Sequence, residues 1–329
     1  MPGCVGLLGA FLSSHVSAHT ISTPSGPVLD PTSVLQVAVP VLVAAALYIC
    51  GLLRLRDRQL HLPTRSAWRM VAFFSGLATL VLALLSPLDV WSAESFAFHM
   101  VQHEVLMLIA APLLVLGRPL PVFLWAFPAP ARARIGRWAR SGAVRSAWNA
   151  LLNPIAAWAL HAVALWLWHA PSLFDAALRN ARVHDLQHIT FLASALIFWA
   201  ALMEERARER QGAAVLYLFT TTVHTGVLGA LLTFATHPWY SAYLEVPSRW
   251  GLSPLEDQQL GGLIMWVPAS LVYVGVGLLL LARWIESSSG SGDGAGAIEM
   301  QVGRVEPRGR AQRGDVMNDE MPALKSDKP

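Results

Sequence analysis

Charge is what this sequence has least of. Asp, Glu, Lys and Arg supply only 14% of its 329 residues, against roughly a quarter in ordinary soluble domains. Lysine is nearly missing: Lys325 and Lys328 are the only two, so arginine carries almost all the positive charge. No basic face interleaved with aromatic residues remains from which to build a nucleic-acid surface, which excludes nucleic acid as a partner. Cysteine is equally scarce. Cys4 and Cys50 alone form no CxxC clip, no redox pair and no disulfide framework. Also lacking are a Ser/His/Asp arrangement, a phosphate-binding Gly loop and the HExxH signature of zinc proteases.

What the chain has instead is apolar surface. Apolar residues make up 54% of it, including 13 Trp, more than a water-soluble core of this size hides, so lipid must be part of its solvent. A membrane-crossing helix needs about 20 predominantly apolar residues. Seven segments qualify: Val34–Leu53, Trp68–Leu85, Phe98–Leu116, Leu151–Trp168, Leu186–Met203, Ala213–Ala235 and Leu260–Ala282. The Gly and Pro within them are tolerated in lipid-embedded bundles. The expected fold is all-α, an integral membrane bundle of seven transmembrane helices.

Arginine placement sets the expected orientation, because cytoplasmic connections concentrate positive charge. Arg54, Arg56, Arg58, Arg65 and Arg69 follow or border the connection after the first segment, and Arg118, Arg132, Arg134, Arg137, Arg140 and Arg145 that after the third. Arg206, Arg208 and Arg210 follow the fifth, offset by Glu204, Glu205 and Glu209. The alternate connections hold only Arg179, Arg182 and Arg249. The N-terminus is therefore expected outside, the C-terminus in the cytoplasm, and the protein in a bacterial cytoplasmic membrane. The basic, partly amphipathic stretch Ala129–Arg145 is expected to lie on the inner leaflet. Residues 1–18, with apolar Val5–Leu12 before Val16-Ser17-Ala18, form a candidate signal peptide whose n-region lacks Lys and Arg. Residues 19–33 make a short outer segment and residues 34–283 the membrane domain. Residues 284–329, rich in Gly, Ser and charge, read as a disordered cytoplasmic tail.

Histidine then stands out. His99 and His103 lie four residues apart in HMVQHEVLM, and His184 and His188 repeat the spacing in HDLQH. Spacing of i, i+4 stacks two side chains on one helix face; Met107 extends the first face by another turn. His169 ends the fourth helix and His237 the sixth. The topology, drawn from arginine alone, puts all six of these histidines at the outer face, while His61 is the only histidine in the three cytoplasmic connections. A lone membrane histidine is commonly a hydrogen-bonded packing residue, which suits His161 and His224 deeper in the bundle. Two paired motifs at one face point to a metal site of His99, His103, His184 and His188. Imidazole suits Cu, Zn, Fe and Ni, and thioether favours Cu(I). Met107 and, at the margin, Met100, His169, His237 and Asp257 are the further candidate ligands. Asp185 or Asp257 is placed to orient an imidazole.

Four stretches carry a family likeness: FHMVQHEVLMLIAAPLLVLGRP (Phe98–Pro119), WHAPSLFDAAL (Trp168–Leu178), HDLQHITFLASALIFW (His184–Trp199) and DQQLGGLIMWVP (Asp257–Pro268). In this order they resemble the CtaG family of caa-type cytochrome c oxidase assembly factors, over roughly residues 30–285. The resemblance implies a part in maturing a haem-copper oxidase by supplying copper to its catalytic subunit, the expected partner beside the bilayer itself and a copper donor protein. The family's paired histidines match His99, His103, His184 and His188, and its Asp-Gln-Gly-Gly motif matches Asp257, Gln258, Gly261 and Gly262. One departure is Gln187, where the family pattern carries Glu before the second histidine. Cu(I) is the expected metal and no enzymatic activity is expected. The competing readings are a membrane metalloenzyme, a haem protein with His161 and His224 as axial ligands, and a copper permease.

Overall fold

The computed structural model describes residues 31–57, 65–204, 211–246 and 250–302. The proposed leader, most of the short outer segment, His61, Arg206, Arg208, Arg210, Arg249 and residues 303–329 lie outside them. Thirteen α-helices and no strand occur among the described residues. They are α1 (Pro31–Asp57), α2 (Arg65–Leu84), α3 (Pro87–Glu94), α4 (Phe96–Glu104), α5 (Ala111–Leu116), α6 (Pro119–Trp125), α7 (Ala129–Ala139), α8 (Gly142–Leu151), α9 (Pro154–Trp168), α10 (Pro171–Arg179), α11 (Ala181–Met203), α12 (Gln211–Thr233) and α13 (Pro254–Val302). A π-helix, Val105–Ala110, joins α4 to α5, and a 3₁₀ turn, Ser241–Leu244, lies between α12 and α13. The protein is thus an all-helical, multi-pass membrane protein.

Six stretches are long and apolar enough to cross a membrane: Val34–Asp57, Ala67–Leu84, Phe96–Leu116, Ala181–Met203, Gly212–Thr233 and Pro254–Glu286. A seventh exists if α8 and α9, bent by 63° relative to each other, count as one span. The expected unbroken span Leu151–Trp168 is therefore different in the structure, and the reason is local. Asn153 caps α9 by accepting from Ile155 N at 3.0 Å and Ala156 N at 3.3 Å, with Pro154 at the first helical position. A capping Asn followed by Pro starts a helix afresh. A similar break falls at Arg118, whose φ of 45° is left-handed, immediately before Pro119.

The chain divides between Trp284 and Ile285 into two compact units. Helix α13 continues to Val302, whereas the sequence suggested disorder from residue 284. Extending an existing helix is far easier than nucleating one, so the Ser- and Gly-rich stretch is carried on from the apolar span.

In the first unit, α4, the π-helix and α5 run beside α2 on one flank and α11 on the other, and α11 also packs on α9 and α10. Two apolar clusters result. One joins α1, α2 and α5 around Tyr48, Phe73 and Leu114; the other joins α4, α9, α11, α12 and α13 around Phe96, Phe191, Phe198 and Trp199. Tyr48 stacks on Phe73 at 4.1 Å and donates to Gly117 O at 3.0 Å. The outer sides of the helices remain apolar, with Leu42, Val163, Phe219 and Leu271 exposed, as lipid contact requires. Close approach around α13 depends on two glycines. A Cβ on Gly261 would sit 2.3 Å from Phe96 Cδ1, and one on Gly262 2.7 Å from Thr233 N. Absent side chains at these two positions let α13 touch α4 and α12 together, which bears directly on the site below.

Candidate metal centre

The start of α4 is fixed before any histidine is reached. Ser95 caps the helix, and Asp257 from α13 accepts from Ser95 Oγ at 2.7 Å, Phe96 N at 2.6 Å and Ala97 N at 3.2 Å. A carboxylate at a helix N-terminus satisfies donors that the helix itself cannot and meets the positive end of its dipole. His99 follows two residues later and His103 one turn further. One turn in from the Asn180 cap of α11 comes His184, and one turn on again His188. Gln102, on the other side of α4, donates to Ala83 O at 2.9 Å and Asp89 Oδ1 at 2.8 Å, which fixes the helix rotation.

The two pairs meet. Ring centroids are 4.3 Å apart for His99 and His103, 4.2 Å for His184 and His188, 5.3 Å for His103 and His188 and 5.4 Å for His99 and His184. One ring nitrogen each from His99, His103 and His188 lies within 4.8 Å of the other two, close enough for one ion to reach all three after small ring rotations. His99 and His103 are 0% and 1% exposed and His188 8%. His184 stands at the rim, half-buried.

The polar bookkeeping tests whether a metal fits. His99 Nε2, both nitrogens of His103 and His188 Nε2 are buried with no hydrogen-bond partner among the described residues. Each buried orphan of this kind costs on the order of 1–3 kcal/mol. Four such nitrogens converging on one point are expensive as packing residues, and a cation coordinated there would satisfy them. The donor set of neutral imidazoles suits a borderline or soft transition metal.

Hydrogen bonds outside the cluster also assign tautomers. Tyr243 donates its phenol to Ser92 O at 2.8 Å and lies 3.2 Å from His99 Nδ1. Burial, with the charge of Asp257 adding to it, pushes this phenol well above its ordinary range, so the proton stays on it. With that single proton committed to Ser92, His99 Nδ1–H is the donor to the phenol oxygen, and Nε2 keeps its lone pair for the cluster. His169 behaves alike: Nδ1 donates to Leu165 O at 2.7 Å, leaving a buried and unpartnered Nε2. Its ring lies 6.3 Å from Phe174 and 6.1 Å from Phe191. These two phenylalanines also wall His99 at 4.9 Å and His103 at 4.7 Å.

The remaining sequence candidates fall elsewhere. His237 is exposed, its nearest polar contact being Thr236 Oγ1 at 3.5 Å. Asp257 spends both oxygens on α4, so its place is the helix start. Met100 is buried against Gly261, whose absent Cβ would lie 3.2 Å from Met100 Cγ. Met107 is buried too, but its position differs from the expected continuation of the His99–His103 face. The π-helix begins at Val105, and Ala111 N bonds back to Leu106 O. An i→i+5 pattern inserts a residue into the turn, so the i, i+4 alignment ends at His103. Asp185 is half-buried at the rim. Gln187, 0% exposed, reaches toward His99 without completing a hydrogen bond. Tyr243 is the site residue that sequence reasoning missed; it sits in a short loop turn with no motif around it.

These features define a class: a multi-pass helical membrane protein with a buried histidine cluster at one end of its bundle. The family described as cytochrome c oxidase caa3 assembly factor matches residues 46–287, and the chain belongs to it. Two mycobacterial relatives, described only as uncharacterised proteins of Mycobacterium bovis and Mycobacterium tuberculosis, are each 27% identical over 249 residues. That match covers 74% of this chain but 37% of each relative, so the chain spans well under half the length of these curated relatives. No solved structure matches.

Proposed function

We propose that this member of the oxidase assembly family handles copper for the catalytic subunit of a haem-copper oxidase. The supporting observation is the meeting of His99, His103 and His188, whose inward nitrogens have no other partner among the described residues. These three side chains would hold the ion, with His184 at the rim and His169 behind the phenylalanines. Neutral imidazoles around Cu(I) leave a net charge of one, which costs less to bury than a divalent ion with the same ligands. The family assignment supplies the pathway, and the oxidase subunit is the partner it implies. On the expected orientation the cluster opens to the outer side of a bacterial cytoplasmic membrane, in a seven-span bundle with its N-terminus outside. A copper donor protein would load the rim at His184, and the ion would pass to the docked subunit by ligand exchange. No covalent chemistry is needed.

The test is made on the recipient. Oxidase isolated from cells whose only assembly factor is the His188→Ala variant should accumulate with its catalytic-subunit copper reduced at least five-fold. Normal copper content in that oxidase would remove the copper reading while leaving the family assignment intact. Tyr243→Phe tests the orienting bond. Loss of an outer hydrogen bond to a metal-ligating histidine lowers affinity by about 10- to 100-fold. Copper(I) competition titrations of the purified variant should show a weakening in that range with unchanged stoichiometry.

A further inference from the structure

A second group of imidazoles lies in the middle of the bundle, apart from the triad. His161 is near the centre of α9, seven residues from each end, and is 1% exposed. Its Nδ1 is 3.1 Å from Ser194 Oγ, and that hydroxyl donates its proton to Phe191 O, also at 3.1 Å. His161 must then donate from Nδ1, which leaves a lone pair on Nε2. His224 lies near the middle of α12, the helix that packs on α9. Both of its ring nitrogens are buried without a hydrogen-bond partner among the described residues.

The two rings face each other's helix. Trp158 and His161 are three residues apart on α9, and such positions share a face. The His224 ring stands against Trp158, with centroids 5.4 Å apart and planes at 89°. His224 therefore reaches the face of α9 that carries His161, and the two imidazoles are close enough to interact electrostatically. The Trp158 indole nitrogen is itself buried and unpartnered, so its aromatic face and N–H close one side of the space. Phe198 closes another, 4.9 Å from His161. No hydrogen bond or ion pair links a carboxylate to either histidine among the described residues.

We infer that His161 and His224 form a second, two-coordinate site for Cu(I) at mid-depth in the membrane domain. Two neutral imidazoles suit this ion because Cu(I) accepts linear coordination by two nitrogens. A divalent metal would be left with two uncompensated charges in an apolar surrounding. The ring faces of Trp158 and Phe198 offer the quadrupole attraction that a bare monovalent cation gains from aromatic walls. Rings packed this tightly around both histidines leave no gap for the plane of a porphyrin. The site goes beyond the copper reading of the triad and does not rest on it.

The experiment counts copper in the full-length protein, purified in detergent, loaded with Cu(I) without oxygen and dialysed. Wild type should hold two ions per chain, and His161→Gln/His224→Gln should hold one. The variant His99→Ala/His103→Ala should also hold one, with an X-ray absorption edge of two-coordinate Cu(I). The edge of the wild-type protein, fitted as a mixture of two- and three-coordinate copper, reads both sites with no substitution at all. One ion in wild type and none in His99→Ala/His103→Ala would overturn the second site and leave the triad standing. Two ions in wild type, both kept by His161→Gln/His224→Gln, would overturn it as well. Copper in His99→Ala/His103→Ala together with wild-type copper of purely two-coordinate character would sink the triad and keep the inner site. No copper in wild type would sink both.

Discussion

Protein purified with His99 and His103 both replaced by alanine should lose the copper of the outer cluster. The argument is geometric. The three converging nitrogens come from two helices, and this variant removes both contributions from α4, leaving His188 with His184 on α11. A pair of ligands on one helix lacks the opposing group that closes the coordination, so affinity should fall by at least 100-fold. Removing a single histidine leaves two ligands from opposite sides and should be milder, about ten-fold. The double variant also removes buried nitrogens that have no partner without metal. Its metal-free form should therefore be no less stable than metal-free wild type, apart from the cavity left by two imidazoles, at about 24 cal/mol per Å³. Thermal unfolding with and without Cu(I) separates the two effects: copper should raise the wild-type midpoint and move that of the variant much less. Equal shifts in both proteins would show that the outer histidines are not where copper binds.

The second large effect is expected at Asp257, which binds nothing but its own protein. Asp257→Ala strips three partners from the start of α4: the Ser95 hydroxyl and the amides of Phe96 and Ala97. All are buried, and each abandoned donor costs on the order of 1–3 kcal/mol. The loss should reach about 3 kcal/mol or more, because the stabilised N-terminal dipole goes with it. His99 stands two residues beyond the last of these contacts, so fraying of the helix start should also spread the triad and weaken copper binding. Asp257→Asn keeps one acceptor oxygen and should lie between alanine and wild type in both measurements. Chemical unfolding in detergent and copper competition on the same preparations provide the check. Full stability in Asp257→Ala would mean that α4 starts without help from α13.

The sequence carried the class and the heart of the site, for physical reasons visible in particular residues. HxxxH on two helices fixes two faces, and apolar runs on either side leave them nowhere to point but inward. What spacing could not show was where the register ends. Met107 looked like the next rung because an α-helix was assumed to continue, and nothing in VLMLIA announces a π-helix. His237 looked equivalent to His169, since both close an apolar run at the same end. His169 is turned inward by its bond to Leu165 O, while His237 falls in an irregular stretch with no such tether. Asp257 was recognisable as either a helix-start charge or a site residue, and its partners on a different helix decide for the former. The bend at Asn153-Pro154 was the more legible miss, because capping Asn before Pro is a standard helix start. Tyr243 had no pattern to find; its role comes from a loop folding back over α4.

The surplus residue between Val105 and Ala110 has one further implication. In an unbroken helix, the angle at which one end faces its neighbours dictates the angle at the other end. Here the slack turn uncouples them. Substitutions that reseat α5 against α2 need not re-aim the imidazoles of α4, and a change that tunes the histidine end need not disturb the far contacts. Removing one residue from this turn would bind both ends to a single rotation and force them to compete.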